Sequence, residues 1–180
     1  ELPPLYLDMT VIEYLTFICD LKKVPKADRK EQLARILAMV KISNVSDRLI
    51  ANLSKGYKQR VGIAQALVGD PEILILDEPT AGLDPKGRDE LLDMLKAMHE
   101  RSNNTVILVS HSMEDVANYV NRIVVLDSGK LLYDDKPRAV FANYKKLEEI
   151  GLSAPKVTYV MDALRANGID VPEDIITIDE

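Results

Sequence analysis

The chain has 180 residues, 47% of them hydrophobic and 29% charged, with a net charge of −6. That is the size of about one domain, with enough apolar content to bury a core, and it excludes a weakly hydrophobic, disordered polypeptide. The longest uninterrupted apolar run is five residues, Ile36 to Val40, which excludes a helical bilayer span of about twenty residues.

The chain begins at Glu1, with neither a Met nor an apolar leader, and so reads as the interior of a longer product. "TVIEYLTFICDL" opens on a capping box, Thr10 to Glu13, in which each side chain satisfies an orphaned amide of the first turn. Tyr14, Phe17, Ile18 and Leu21 follow at helical spacing until Pro25 ends the element. A second helix places Leu33, Ile36, Leu37 and Val40 on one face. Cys19, the single cysteine, cannot form an internal disulfide and reads as a small core side chain suited to a reducing compartment. Residues 1–60 carry 11 Lys and Arg against 7 Asp and Glu. These are scattered without interleaved aromatics, the pattern of a solvated surface and not of a nucleic-acid face.

From Glu72 the pattern changes. "ILIL", "TVILVS" and "RIVVLD" read as short apolar strands buried on both faces, and their alternation with helical stretches favours a parallel sheet. "LDSGKLLY" reads as a hairpin about Ser128 and Gly129. Short helices follow. The last, Pro155 to Asn167, puts Val157, Val160, Met161 and Leu164 on one stripe, with Gly168 as its C-terminal cap.

Two stretches carry chemistry. In "LSKGYKQR", Ser54 caps a helix and Gly56 leaves the backbone open beside it. Helix-start amides, a hydroxyl and the positive end of the helix dipole make an anion site, although the same residues also read as a well-capped helix with basic neighbours. In "ILILDEPT", Asp77 and Glu78 stand at the carboxyl end of a strand, where open α/β sheets bind ligands. "AGLD" follows in register with Gly82 and Asp84, and "SHSMEDV" then places His111 after the next strand. His99, late in a helix, reads only as a polar surface residue.

With four motifs in order over residues 53–111, the chain resembles the ABC ATPases. Lys55 and Tyr57 replace the usual Gly and Gln of the signature, so that motif is a variant. The resemblance implies a P-loop NTPase-like α/β core with a parallel sheet and a helical subdomain. It also implies roles. Ser54 and Gly56 would grip the γ-phosphate of ATP held by a partner subunit, and Asp84 would lie on a loop crossing the interface. Asp77 would hold Mg²⁺ through water, Glu78 would polarise the attacking water, and His111 would contact the γ-phosphate. "GLDPKGRD" has glycines at phosphate-loop spacing, Gly82 and Gly87, but Arg88-Asp89 replaces the Lys-Ser/Thr pair. No other segment fits, so the phosphate loop is expected upstream of Glu1, with Glu1 itself closing the glutamine loop.

The expected divisions are a helical subdomain with the signature at 1–70, the remainder of the α/β core at 71–135, and a helical pairing tail at 136–180. Residues 1 to about 76 resemble ATPases of gliding-motility and drug- or polymer-export systems. Residues from about 73 onward, above all the tail "GLSAPKVTYVMDALRANGIDVPEDIITIDE", resemble the ATP-binding subunit of energy-coupling factor transporters. A mosaic gene, a join of two genes within "ILILDEPT", and one subunit carrying both patterns are the alternatives. The resemblance implies ATP and Mg²⁺ as ligands. A second ATPase subunit, identical or paralogous, and an integral membrane transporter subunit are the implied partners, without nucleic acid, at the cytoplasmic face of the membrane. Import of vitamins or metal ions follows from the C-terminal part and export from the N-terminal part. A non-transport ABC protein and a catalytically inert pairing module are the rivals from other classes.

Overall fold

A computed structural model describes residues 4–102, 104–172 and 175–178. The expected glutamine-loop position at Glu1 lies outside the described residues. The chain divides into two compact units, Glu1–Val109 and Ser110–Glu180.

The first unit begins with helices α1 (Val11–Leu21) and α2 (Lys26–Met39), followed by two single turns of tighter helix, then α3 (Lys55–Leu67). The capping box forms at the start of α1. The Thr10 backbone N–H donates to Glu13 Oε2 at 2.9 Å, and the Glu13 N–H donates to Thr10 Oγ1 at 3.3 Å. Tyr14, Leu15, Ile18 and Cys19 of α1 meet the buried Leu33, Ile36 and Leu37 of α2 and Val61, Ala64 and Leu67 of α3 in an apolar interior. Leu21, expected on the buried stripe of α1, is exposed, because its helix ends there.

Polar contacts hold the far end of α3. The Tyr14 hydroxyl donates to Gln65 Oε1 at 2.7 Å. The Lys22 ammonium donates to the carbonyls of Ala66 and Val68 at 3.0 and 2.7 Å, closing orphaned C-terminal groups of that helix. Beyond it, Gln32 donates to Asp70 at 2.8 Å and accepts from the Gly69 N–H at 3.2 Å. These bonds fix the turn that delivers the chain into strand β1.

Strand β1 (Ile73–Asp77) pairs in parallel with β2 (Thr105–Val109) across α4 (Pro85–Ser102), in the register Ile73 with Thr105 and Asp77 with Val109. The expectation of burial on both faces is corrected here. Leu74 and Leu76 are buried, whereas Ile73, Ile75, Ile107 and Val109 are 57, 66, 44 and 48% exposed. Only two strands form this sheet, and among the described residues nothing of the first unit covers its second face.

The second unit carries α5 (Met113–Tyr119), β3 (Ile123–Asp127), β4 (Lys130–Asp135), α6 (Pro137–Phe141), α7 (Tyr144–Glu149) and α8 (Lys156–Ala166). "RIVVLD" pairs antiparallel with β4, as the expected hairpin requires, but it forms a separate two-stranded sheet and does not join the parallel pair β1–β2. The tight turn decides the antiparallel pairing. Ser128 and Gly129 have φ of 49° and 76°, the doubly left-handed turn whose twist matches a two-residue hairpin. Val116, Val125, Val140, Phe141, Leu147 and Ala154 form the core of this unit. Gly168 closes α8 as expected, its N–H donating to Arg165 O at 2.9 Å. Of the expected apolar stripe of α8, Val157, Met161 and Leu164 are half-buried and Val160 is exposed, while Thr158 is the buried residue of that helix. Tyr159 takes the inner position, its hydroxyl accepting from the Ala154 N–H at 3.1 Å. Among the described residues no helix is long and apolar enough to cross a membrane.

Candidate functional site

Ser54 sits at the N-cap of α3, with extended backbone, and its hydroxyl accepts from the Tyr57 N–H at 3.4 Å. That bond is long, so the hydroxyl and the remaining first-turn amides are only lightly engaged by the helix itself. No acid stands in the first turn, leaving the positive end of the dipole uncompensated. Gly56 lies against the loop that follows β1, since a Cβ there would meet Leu83 Cδ2 at 3.7 Å. The start of the signature helix and the "AGLD" loop of the same chain are therefore neighbours.

Asp77 is the last residue of β1 and is exposed. Glu78 follows with φ of 45°, a left-handed backbone that costs a non-glycine residue about 1–2 kcal/mol. Its N–H donates to Val109 O at 2.9 Å, so the end of β2 holds this turn. The loop then folds back on itself: the Ala81 N–H donates to Glu78 O at 3.0 Å and the Leu83 N–H to Thr80 O at 3.1 Å. Pro79 and Thr80 are buried beneath it. Two consecutive carboxylates thus leave the sheet in different directions, Asp77 continuing the pleat and Glu78 turned by its left-handed φ.

Asp84 is exposed and directly precedes α4, with the Arg88 N–H donating to its carbonyl at 2.9 Å. A Cβ at Gly87 would lie 2.7 Å from Asp84 Oδ1. That glycine serves the close approach of the carboxylate to the helix start. His111 is exposed and belongs to the second unit. It stands between Ser110 and Ser112, whose N–H donates to Ser110 Oγ at 3.1 Å, and Ser112 caps α5 by accepting from the Asp115 N–H at 3.4 Å.

No cluster of three or more His, Cys, Asp or Glu that could hold a metal ion occurs among the described residues. Asp77 as one exposed carboxylate suits Mg²⁺, which keeps several waters and takes one or two carboxylates alongside substrate phosphates. The same set would not make an all-protein cage for a larger cation.

Comparison with known proteins gives this arrangement its context. A family profile described as ABC transporter matches residues 4–81. The energy-coupling factor transporter ATP-binding protein EcfA2 of Clostridium tetani is 51% identical over 134 residues, 74% of this chain and 46% of that protein. These residues carry an ABC transporter ATP-binding domain similar to that of the EcfA2 proteins. EcfA2 of Acetivibrio thermocellus is 44% identical over 162 residues, 87% of this chain and 58% of that protein. The solved structure of cbiO1 from Clostridium perfringens, described as part of the ABC transporter complex cbiONQ, matches with a TM-score of 0.72 at 31% identity. That match covers 88% of this chain and 63% of cbiO1. The chain spans about half the length of the curated relatives it matches.

These matches establish the ABC ATPase fold expected from the motifs. A match as long as that to the Acetivibrio protein must run through residues 73–80. One relative therefore carries both sides of the segment where the two sequence likenesses meet. Lys55 was visible in the sequence as a departure from the usual signature, but not its neighbour: a Cβ at Gly82 would fall on the Lys55 ammonium and lie 2.9 Å from its Cε.

Proposed function

We propose that the chain is the signature-bearing and catalytic-acid-bearing part of an ATP-binding, ATP-hydrolysing subunit of an energy-coupling factor type transporter. The observation that carries this is the pairing, within one unit, of an anion-ready helix start at Ser54 with a strand end presenting Asp77 and Glu78. The EcfA2 relatives support the transporter class. The import reading, with vitamins or metal ions as cargo, follows from those relatives' class.

In this reading ATP lies between two such subunits, each of which also needs a phosphate loop that these 180 residues do not contain. Ser54 Oγ and the first amides of α3 donate to the γ-phosphate bound by the partner subunit, and the helix dipole favours its charge. Glu78, turned away from the strand, accepts a proton from the attacking water as general base. His111 donates to the γ-phosphate, and Asp84 crosses to the partner on its loop. Asp77 would hold Mg²⁺ through water, the ion supplying charge neutralisation on the phosphates. Phosphoryl transfer asks chiefly for positioning and charge stabilisation, which this short list of residues provides. The integral membrane subunit would meet the helices from Thr10 to about Val40, and residues 136–180 would serve subunit pairing at the cytoplasmic face of the membrane.

The test is ATP-driven pairing of the complete gene product, followed by sedimentation. Ser54→Ala should weaken pairing while leaving ATP binding to the separated subunit unchanged. Equal loss in both assays would remove Ser54 from a site shared between subunits.

A further inference from the structure

The substitution that makes the signature atypical has a structural partner. Lys55 is the first residue of α3 and is half-buried, and it has no hydrogen bond or ion pair among the described residues. Its charge stands at the positive end of the helix with no acid in the first turn, an arrangement that helix electrostatics disfavours. Its presence is therefore not explained by the stability of α3. Its position is explained by Gly82, whose φ of 67° already requires a residue without a Cβ. A Cβ there would collide with the Lys55 ammonium, at 2.9 Å from Cε and 3.5 Å from Cδ. The lysine stem and head thus lie along the backbone of the loop joining Glu78 to Asp84.

Two further contacts make the same connection. Gly56 approaches Leu83 at 3.7 Å from where its Cβ would be. One turn further along α3, Arg60 donates to Glu90 of α4 at 3.1 Å and to Val40 O at 3.4 Å. The loop has little slack of its own, because Ala81 is bonded to Glu78 and Leu83 to Thr80. A shift at Gly82 is therefore passed to the carbonyl of Glu78 on one side and to Asp84 on the other.

From this geometry we infer that Lys55 is a positioning residue, which acts through Gly82 to hold the Glu78–Asp84 loop in register with the signature helix. The inference rests on the ATPase reading above. The variant signature thereby acquires a role, because one packed contact sets both the site that this subunit offers its partner and the acid that acts in its own site. Lys55 touches neither nucleotide nor water in this account.

The experiment measures kcat and KM for MgATP in the complete gene product carrying Lys55→Gly, Lys55→Met, Gly82→Ala, or Lys55→Gly with Gly82→Ala. Lys55→Gly should lower kcat about tenfold with KM little changed, the pattern of lost transition-state alignment. Lys55→Met keeps the stem over Gly82 and should recover most of kcat. Gly82→Ala should also lower kcat, and the double variant should do better than the product of the two single effects, because removing the lysine removes the collision. An unchanged kcat in Lys55→Gly, or two effects that multiply as independent changes, would overturn the inference and leave the ATPase reading standing. An inactive wild type would overturn both.

Discussion

The left-handed backbone at Glu78 has a consequence for stability whose sign can be worked out. Glu78→Ala and Glu78→Gly both remove the carboxylate and whatever the side chain contacts, so comparing them isolates the backbone. In an ordinary helix or strand, Gly is less stable than Ala by about 0.5–1 kcal/mol, because it loses more freedom on folding. At φ of 45° the alanine Cβ costs about 1–2 kcal/mol that glycine escapes. The balance leaves Glu78→Gly more stable than Glu78→Ala by about 0.5–1 kcal/mol. Urea unfolding of the two variants followed by circular dichroism measures this, with the m-values checked for equality. An Ala/Gly pair at exposed Lys96, inside α4, should show the opposite sign by about 1 kcal/mol. If alanine is the more stable residue at both positions, the turn after β1 is not held left-handed, and the separation of Asp77 from Glu78 described above is wrong.

The Tyr144 hydroxyl donates to Asp162 Oδ2 at 2.7 Å, and this carboxylate, with burial a lesser cause, pushes the phenol pKa from 10.0 up to about 12. Because the folded value is the higher one, the contribution to stability is complete below about pH 10 and disappears as pH rises from 10 towards 12. Ultraviolet titration should show one tyrosine ionising near the top of that range and returning towards 10 in Asp162→Asn. Lys22→Met should destabilise the first unit by about 0.5–1 kcal/mol by uncapping the end of α3, read as a lower urea midpoint. The 180-residue chain alone should show no meaningful Mg-dependent ATPase activity, since it holds no phosphate loop. Robust turnover by purified chain would contradict this.

Most of the architecture was legible in the sequence because it is written in local chemistry. The Thr10–Glu13 box, the apolar face of α2 and the Ser128-Gly129 hairpin each depend on residues within a few positions of one another. The failures share a different cause. "RIVVLD" and "ILIL" are equally apolar, and composition does not say that the hairpin strand stays out of the sheet formed by the other two. Strand hydrophobicity likewise shows that a face can be buried, not that something lies on it, and Ile75 and Val109 remain open for that reason. In α8, Val160 has the spacing of a core residue yet is exposed, whereas Tyr159 and Asp162 are held by bonds to Ala154 and Tyr144. The candidate site residues were singled out by motif order, which names Ser54, Gly56, Asp77, Glu78, Asp84 and His111 individually. The left-handed turn at Glu78 and the approach of Lys55 to Gly82 are three-dimensional facts that no spacing encodes.

The most direct test of the account is phosphate release from MgATP by the complete gene product, wild type against Glu78→Gln, with ATP binding measured on the same samples. The account predicts that both bind ATP and that the variant releases phosphate about 10²–10⁴-fold more slowly, the usual effect of removing a general base. Near-normal turnover in the variant, or a wild type that binds no ATP, would contradict it.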